Sequence, residues 1–159
     1  MAVKKAEKKV AAPKAAKKEA TPKAPKKEVF FAGVGRRKTS VAQVRIFKDE
    51  KATDAEITIN DKKFKDYFPV ATYQTEVLAP FKVTGTHGQF RMSVVVRGGG
   101  FNGQIEAVRL GLSRALVKFD ETLKKALRDN GMLTRDSRAV ERKKPGLKKA
   151  RRAPQWAKR

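Results

Sequence analysis

Gly98-Gly99-Gly100-Phe101-Asn102-Gly103 satisfies the spacing G-x-G-x-x-G and is the one stretch whose residue types suggest cofactor chemistry. It follows a run that alternates like a strand and precedes one that repeats like a helix, the setting in which such glycines bind a dinucleotide pyrophosphate. A dinucleotide site also needs a second parallel strand after the helix, ending in an acid for the ribose. Here Asp120 and Glu121 are followed by another helical stretch and then a basic tail. Nicotinamide and flavin binding are therefore set aside, and no cofactor is expected. No Walker phosphate loop occurs. The turn keeps two physical uses: glycines let the backbone bend sharply or come close to a bulky partner, and a helix N-terminus offers unpaired N–H groups to phosphate.

Other candidates for catalysis are thin. His87 is the only histidine, in a Gly85-Thr86-His87-Gly88 loop, and there is no cysteine to pair with it. That absence excludes disulfides, thiol catalysis and cysteine-bound zinc, and it fits a reducing compartment. Asp49, Glu50, Asp54 and Glu56 cluster near a turn but stand among Lys48 and Lys51. No general acid/base pair emerges, and the reading is of a protein that is not an enzyme.

Cations dominate instead. The formal net charge is +23 over 159 residues. Residues 1–28 hold ten Lys against three Glu, and residues 131–159 hold eleven Lys/Arg against two acids. Nucleic acid is the partner such a chain implies. Arg36-Arg37-Lys38, beside Gly33 and Gly35, reads as a phosphate clamp, because the planar Arg fork grips phosphate with two hydrogen bonds. Arg97, facing outward at the end of a strand beside Gly98, Gly99 and Gly100, joins it as a candidate for RNA contact. The last 18 residues carry nine Lys or Arg and no acid. Arg142 leads doublets at Lys143-Lys144, Lys148-Lys149, Arg151-Arg152 and Lys158-Arg159, broken by Pro145-Gly146 and Pro154. An extended, winding tail is expected, with a reach of roughly 60 Å at about 3.3 Å per residue. Trp156 could stack on a base or sugar, or simply fill a gap.

The elements that position these residues follow from periodicity. Val34 to Phe47 reads as one long strand, with Ala42, Val44 and Ile46 on one side and Val41, Gln43, Arg45 and Phe47 on the other. Glu56 to Asn60 is a second strand, turning at Asn60-Asp61. Phe64 to Phe68 is a helical turn ended by Pro69. Val70, Tyr73, Val77 and Phe81 keep helical spacing, with Pro80 expected to stop that helix early. Gln89 to Arg97 alternates, with Phe90, Met92, Val94 and Val96 inward. Ile105, Val108, Leu112, Leu116 and Phe119 form the stripe of a long helix. Asp120 is the expected N-cap of a second helix through Leu123 and Leu127, closed at Asn130-Gly131.

Strands and helices mix without regular alternation, so the fold class is α+β. Nearly all large apolar side chains lie between residues 29 and 130, enough for one domain of modest stability. The organisation expected is a disordered Lys/Ala/Pro-rich arm (1–30), a globular domain with a mixed sheet packed by helices (31–131), and a basic tail (132–159). The arm is either a solubilising segment or an electrostatic tether. No apolar run is long enough to cross a membrane, and the N-terminus resembles neither a secretory signal nor a mitochondrial presequence. Two rivals stand beside RNA binding: a DNA-compacting protein, which the arm would suit, and a nucleotide-dependent enzyme using the glycine turn.

The segments GVGRRKTSVAQVRIF, GGGFNGQIEAVRLGLSRAL and LRDNGMLTRDSRAVERKKPGLKKARRAPQWAKR, in that order, resemble the S-nine family of ribosomal proteins of the small subunit over about residues 32–159. The resemblance implies an α+β domain with a left-handed β-α-β crossover, binding to ribosomal RNA and neighbouring proteins in the subunit head, and a cytoplasmic, ribosomal location. It implies no membrane and no small-molecule substrate. It implies a tail that runs towards the peptidyl-site tRNA, with Lys158 and Arg159 touching the anticodon stem-loop backbone. The family's end commonly reads Gln-Phe-Ser-Lys-Arg; here Trp156 keeps an aromatic, while Ala157 lacks the hydroxyl. The Lys158-Arg159 ending favours the bacterial type. Residues 1–28 have no counterpart in the usual short bacterial form.

Overall fold

A computed structural model describes residues 29–49 and 56–158; the N-terminal arm (residues 1–28), Glu50, Asp54 and Arg159 lie outside them. β1 (Phe31–Arg37) and β2 (Ser40–Lys48) pair antiparallel, with Arg37 opposite Ser40. The single strand expected from Val34 to Phe47 is thus a hairpin. Its reversal at Lys38-Thr39 contains none of the Asn-Gly or Gly-Gly chemistry that marks such turns. Lys38 itself takes the left-handed backbone, φ 49, and the pairing of two strands holds it there.

β3 (Thr58–Ile59) and β4 (Lys62–Lys63) form a second hairpin, narrower than the expected Glu56–Asn60 strand. Asn60 and Asp61 make its turn with φ of 47 and 64, the two positive values a tight two-residue loop demands. Asn60 does more than turn. Its side-chain nitrogen donates to Val96 O at 2.9 Å, and its side-chain oxygen accepts from Val96 N–H at 2.8 Å. The amide therefore stands in for one further residue of strand against β5 (Phe90–Arg97).

After α1 (Phe64–Tyr67), α2 runs from Ala71 to Thr84, straight through Pro80. The expectation of an early stop fails. A proline removes one ladder bond and crowds the preceding turn, a cost of about 3 kcal/mol, but Val77, Leu78, Pro80 and Phe81 are all buried on this helix. The helix ends instead at Gly85, in the left-handed conformation, where Thr86 N–H closes on Phe81 O at 3.1 Å. The exposed His87 follows in the turn to β5.

The sheet order is β1-β2-β5-β3-β4, antiparallel except for the parallel pair β3–β5. That pair requires a crossover, supplied by β4, α1 and α2. The fold is α+β with a mixed sheet, as expected. Ala42, Val44, Ile46, Met92, Val94 and Val96 face the helices and are buried. α3 (Phe101–Phe119) buries Ile105, Val108, Leu112 and Leu116 as the stripe required, and Ala107, Leu110 and Ala115 as well. It is covered on more than one side because α2 packs against it, with Arg109 and Glu76 paired at 2.8 Å. α4 (Leu123–Asp129) has Thr122 at its cap position; Asp120, expected there, accepts from Thr122 N–H at 2.9 Å and so caps the turn just before it. Gly131, φ 67, closes α4.

Gly33 and Gly35 let α3 lie directly on β1. A Cβ on Gly35 would sit 1.8 Å from Ala107 O, and one on Gly33 would sit 2.1 Å from Gly111 O. These glycines serve close packing, not the flexible phosphate loop that their neighbours suggest. α3 also shields the free edge of β1, since Arg114 donates to Val34 O and Lys118 to Ala32 O, each at 2.7 Å.

Candidate nucleic-acid interface

The β1–β2 hairpin and the glycine turn after β5 meet at one end of the sheet. Ser40 Oγ donates to Gly98 O at 3.1 Å, and so does the Gln104 side-chain amide. Gly98 and Gly99 have φ of 73 and 66, and added Cβ atoms would lie 2.6 Å from Thr39 O and 2.0 Å from Ser40 Oγ. Both are demanded by the turn itself. Gly100 is different: its φ is −105 and nothing lies within 4 Å of the Cβ it lacks. It occupies the cap position of α3 without a side chain to cap it, so the first N–H groups of a 19-residue helix are left without a side-chain acceptor.

Two clefts flank that helix start. One, of about 330 Å³, is lined by Lys38, Thr39, Tyr73 and residues 99–103. The other, of about 320 Å³, is lined by Lys62, Asp66, Tyr67, Gly99, Gly100, Phe101 and Gln104. Phe101 stands between them, 56% exposed, its ring edge-on to Tyr67 and Phe68. The sequence reading did not single it out. An aromatic inside a glycine turn, at a helix start, was the available signal.

Of the three cations in the expected clamp, the structure separates one from the others. Lys38 lines the first cleft, and Arg36 is exposed on the sheet, one strand away from the exposed Arg97 through Val41. Arg37 turns inward, with a side chain 9% exposed. Its Nε donates to Glu106 at 2.5 Å, its Nη2 pairs with Asp136 at 3.0 Å, and its Nη1 donates to the backbone oxygens of Asp136 (3.3 Å) and Arg138. Alternation along β1 dictates this, because neighbours face opposite sides. Arg37 is therefore spent inside the protein. It ties the root of the tail to β1 and α3.

Asp136 completes that latch. Its carboxyl is held far below the usual carboxylate range, first by the side-chain hydrogen bonds from Arg138, then by the Arg138 N–H, with the charge of Arg37 adding to both. Beyond Arg138 the tail is exposed but not uniformly extended. Gly146 has φ 78, Lys148 N–H reaches Arg152 O at 2.8 Å, and Arg151 grips Glu141 with both sides of its fork. The expected 60 Å reach is shortened accordingly: Pro145-Gly146 makes a turn where a winding strand was anticipated. Glu141, whose pKa that fork lowers, is the last acid. Arg142, Lys143, Lys144, Lys148, Lys149, Arg152 and Lys158 are exposed after it, and Trp156 is 80% exposed. Among the described residues no cluster of His, Cys, Asp or Glu could hold a metal, and no helix is long and apolar enough to cross a membrane.

Comparison with protein families matches residues 35–159 to the family described as ribosomal protein S9/S16. The match begins in β1 and takes in the glycine turn, α3, the latch and the tail. Proteins of this kind are structural parts of the small ribosomal subunit, located in the cytoplasm with the ribosome, and they work by binding, not by turnover. A chain whose glycine turn, α3, latch and cationic tail all fall within a matched span of that extent belongs to the ribosomal protein S9/S16 family.

Proposed function

We propose that the domain, residues 31–131, binds small-subunit ribosomal RNA in the subunit head, beside neighbouring ribosomal proteins, and that residues 132–159 carry positive charge towards the peptidyl-site tRNA. The observation that supports this most directly is the tail's division of labour. Its root is latched by Arg37, while every residue with charge after Glu141 is a cation. A segment of that kind is held in place by anionic backbone, since it has almost no apolar surface to bury.

Within the domain, Arg36, Lys38, Arg97 and the Gly98-Gly99-Gly100 turn are the rRNA-contacting group, with Gly100 as the point of closest backbone approach. Arg37 is omitted because its donors are engaged by Glu106 and Asp136. In the tail, Arg142, Lys143, Lys144, Lys148, Lys149 and Arg152 neutralise rRNA phosphates, and the exposed Arg151 joins them when phosphate replaces Glu141 on its fork. Lys158 and Arg159 reach the tRNA anticodon stem-loop. The chain has no reaction of its own.

Deleting Lys158 and Arg159 tests the reading. Small subunits carrying the shortened chain should sediment normally and release peptidyl-site tRNA several-fold faster. Unchanged tRNA release would remove the tRNA half of the proposal; failure of the full chain to bind protein-free rRNA at physiological salt would remove the other half.

A further inference from the structure

Among the described residues the helices cover one face of the sheet and leave the other bare. Register places its outward side chains in rows. Arg36, Val41 and Arg97 form one row; Val34, Gln43 and Val95 the next; Arg45 and Ser93 the third; Phe47 and Arg91 the last. Arg36, Arg45 and Arg97 are exposed, and Val34 and Val95 keep 42% and 40% of their surface. Asp49, paired with Arg91 at 3.4 Å, is the acid at the far end. No other acid falls in these rows.

The arrangement has a definite chemistry. Arg45 lies over the Phe30 ring at 5.3 Å, and Arg91 over Phe47 at 4.8 Å. Stacking fixes a guanidinium plane without consuming its N–H donors. Strands lie about 4.8 Å apart and rise about 3.4 Å per residue. Arg36 and Arg97 are therefore about 10 Å apart across β2, and the row of Arg45 lies about 13 Å further along. Side chains stand roughly perpendicular to a sheet, so the three cations are spaced widely enough to take separate phosphates. Between them lie two valines and the neutral hydrogen-bonding groups of Gln43 and Ser93. Both aromatic rings lie beneath arginines, so neither is a bare platform for an unstacked base.

We infer that this bare face docks an A-form RNA duplex across its wide, shallow minor groove. Riboses rest on Val34 and Val95, 2′-hydroxyls meet Gln43 and Ser93, and phosphates on the two sides meet Arg36 with Arg97 and Arg45. Double-stranded RNA is recognised by shape, 2′-hydroxyl and phosphate, and a flat face with charges at its margins and neutral polar groups at its centre offers all three. This rests on the rRNA-binding reading above; it shares Arg36 and Arg97 with the group around the glycine turn and extends the contact over Val34, Gln43, Arg45, Ser93 and Val95.

The test uses the full chain and protein-free RNA of the small-subunit head, titrated over a range of salt. The variants are Arg45→Gln and Val95→Glu, both exposed positions, each checked for an unchanged circular dichroism melt. Arg45→Gln should weaken binding at least threefold and flatten the plot of log K against log salt by about 0.7–0.9, the loss of one phosphate contact. Val95→Glu should weaken it more, and 2′-deoxy substitution in the duplex that the full chain shields from cleavage should weaken binding of the wild type. A wild type that binds while both variants bind equally well would overturn the inference and leave the rRNA reading standing. So would a defect that appears only when neighbouring ribosomal proteins are present, which would make the face a protein-docking surface. A wild type that binds no RNA would overturn both.

Discussion

Gly35→Ala should unfold this domain at a much lower temperature, although it adds a single methyl. Gly35 is buried on β1 and faces α3. The new Cβ would lie 1.8 Å from Ala107 O and 2.5 Å from Gly111 N. Carbon and backbone oxygen do not approach closer than about 3 Å, so strand and helix must part by more than about 1 Å. α3 cannot retreat freely, because α2 packs behind it and Arg109 is bonded to Glu76. Separation would also stretch the Arg114 and Lys118 bonds that cover the β1 edge. Overpacking of this kind costs about 3 kcal/mol or more. For a domain of about 100 residues each kcal/mol moves the midpoint by roughly 4–8 °C, so a drop of roughly 12–24 °C is expected. Thermal unfolding of the full chain followed by circular dichroism measures it. Gly33→Ala should come close behind. Gly111→Ala should cost less, since its Cβ would come no closer than 2.8 Å to the Val44 methyl and 3.1 Å to Gly35 N, against 1.8 Å to Ala107 O for Gly35. A Gly35→Ala midpoint within about 3 °C of wild type would refute the claim that β1 and α3 touch through their backbones.

Other outcomes follow from the same geometry. Gly100→Ala should lower the melt by only a few degrees, the cost of replacing Gly by Ala at a helix N-cap, because its backbone is ordinary and its Cβ meets open space, while weakening rRNA binding in a filter or gel assay. Arg37→Met should lower stability by about 2–3 kcal/mol in denaturant titration, below the range for a fully buried pair because Glu106 and Asp136 keep 30% and 28% exposure. It should also speed hydrogen exchange at the Arg138 N–H, which the Asp136 carboxylate accepts. Asp136 has a folded pKa depressed below its unfolded value, so its contribution is present in full above that unfolded value and is lost as pH falls through the folded one. Tail-root exchange corrected for intrinsic rate should therefore be flat from pH 8 to 5 and should rise only well below about pH 4. Asn60→Ala should cost about 1–2 kcal/mol, since it leaves Val96 N–H and C=O without the amide that satisfies them.

What the chain determined by itself is whatever depends on neighbours in sequence. Alternation wrote β5, a 3–4 spacing wrote the stripe of α3, positive-φ chemistry wrote the Asn60-Asp61 and Asn130-Gly131 turns, and charge density wrote the tail. Only the tertiary structure could decide matters that depend on partners far along the chain. Lys38-Thr39 turns because β1 finds β2, not because those residues favour a turn. α2 passes Pro80 because the core beneath it outweighs one lost bond. Arg37 looks like its neighbours Arg36 and Lys38 as text, yet its partners lie 69 to 101 residues away, and they alone convert a phosphate ligand into a latch. Gly33 and Gly35 look like flexibility until a helix backbone is found against them. Local pattern fixes which face a side chain takes; what waits on that face is set by long-range packing, which no short window contains.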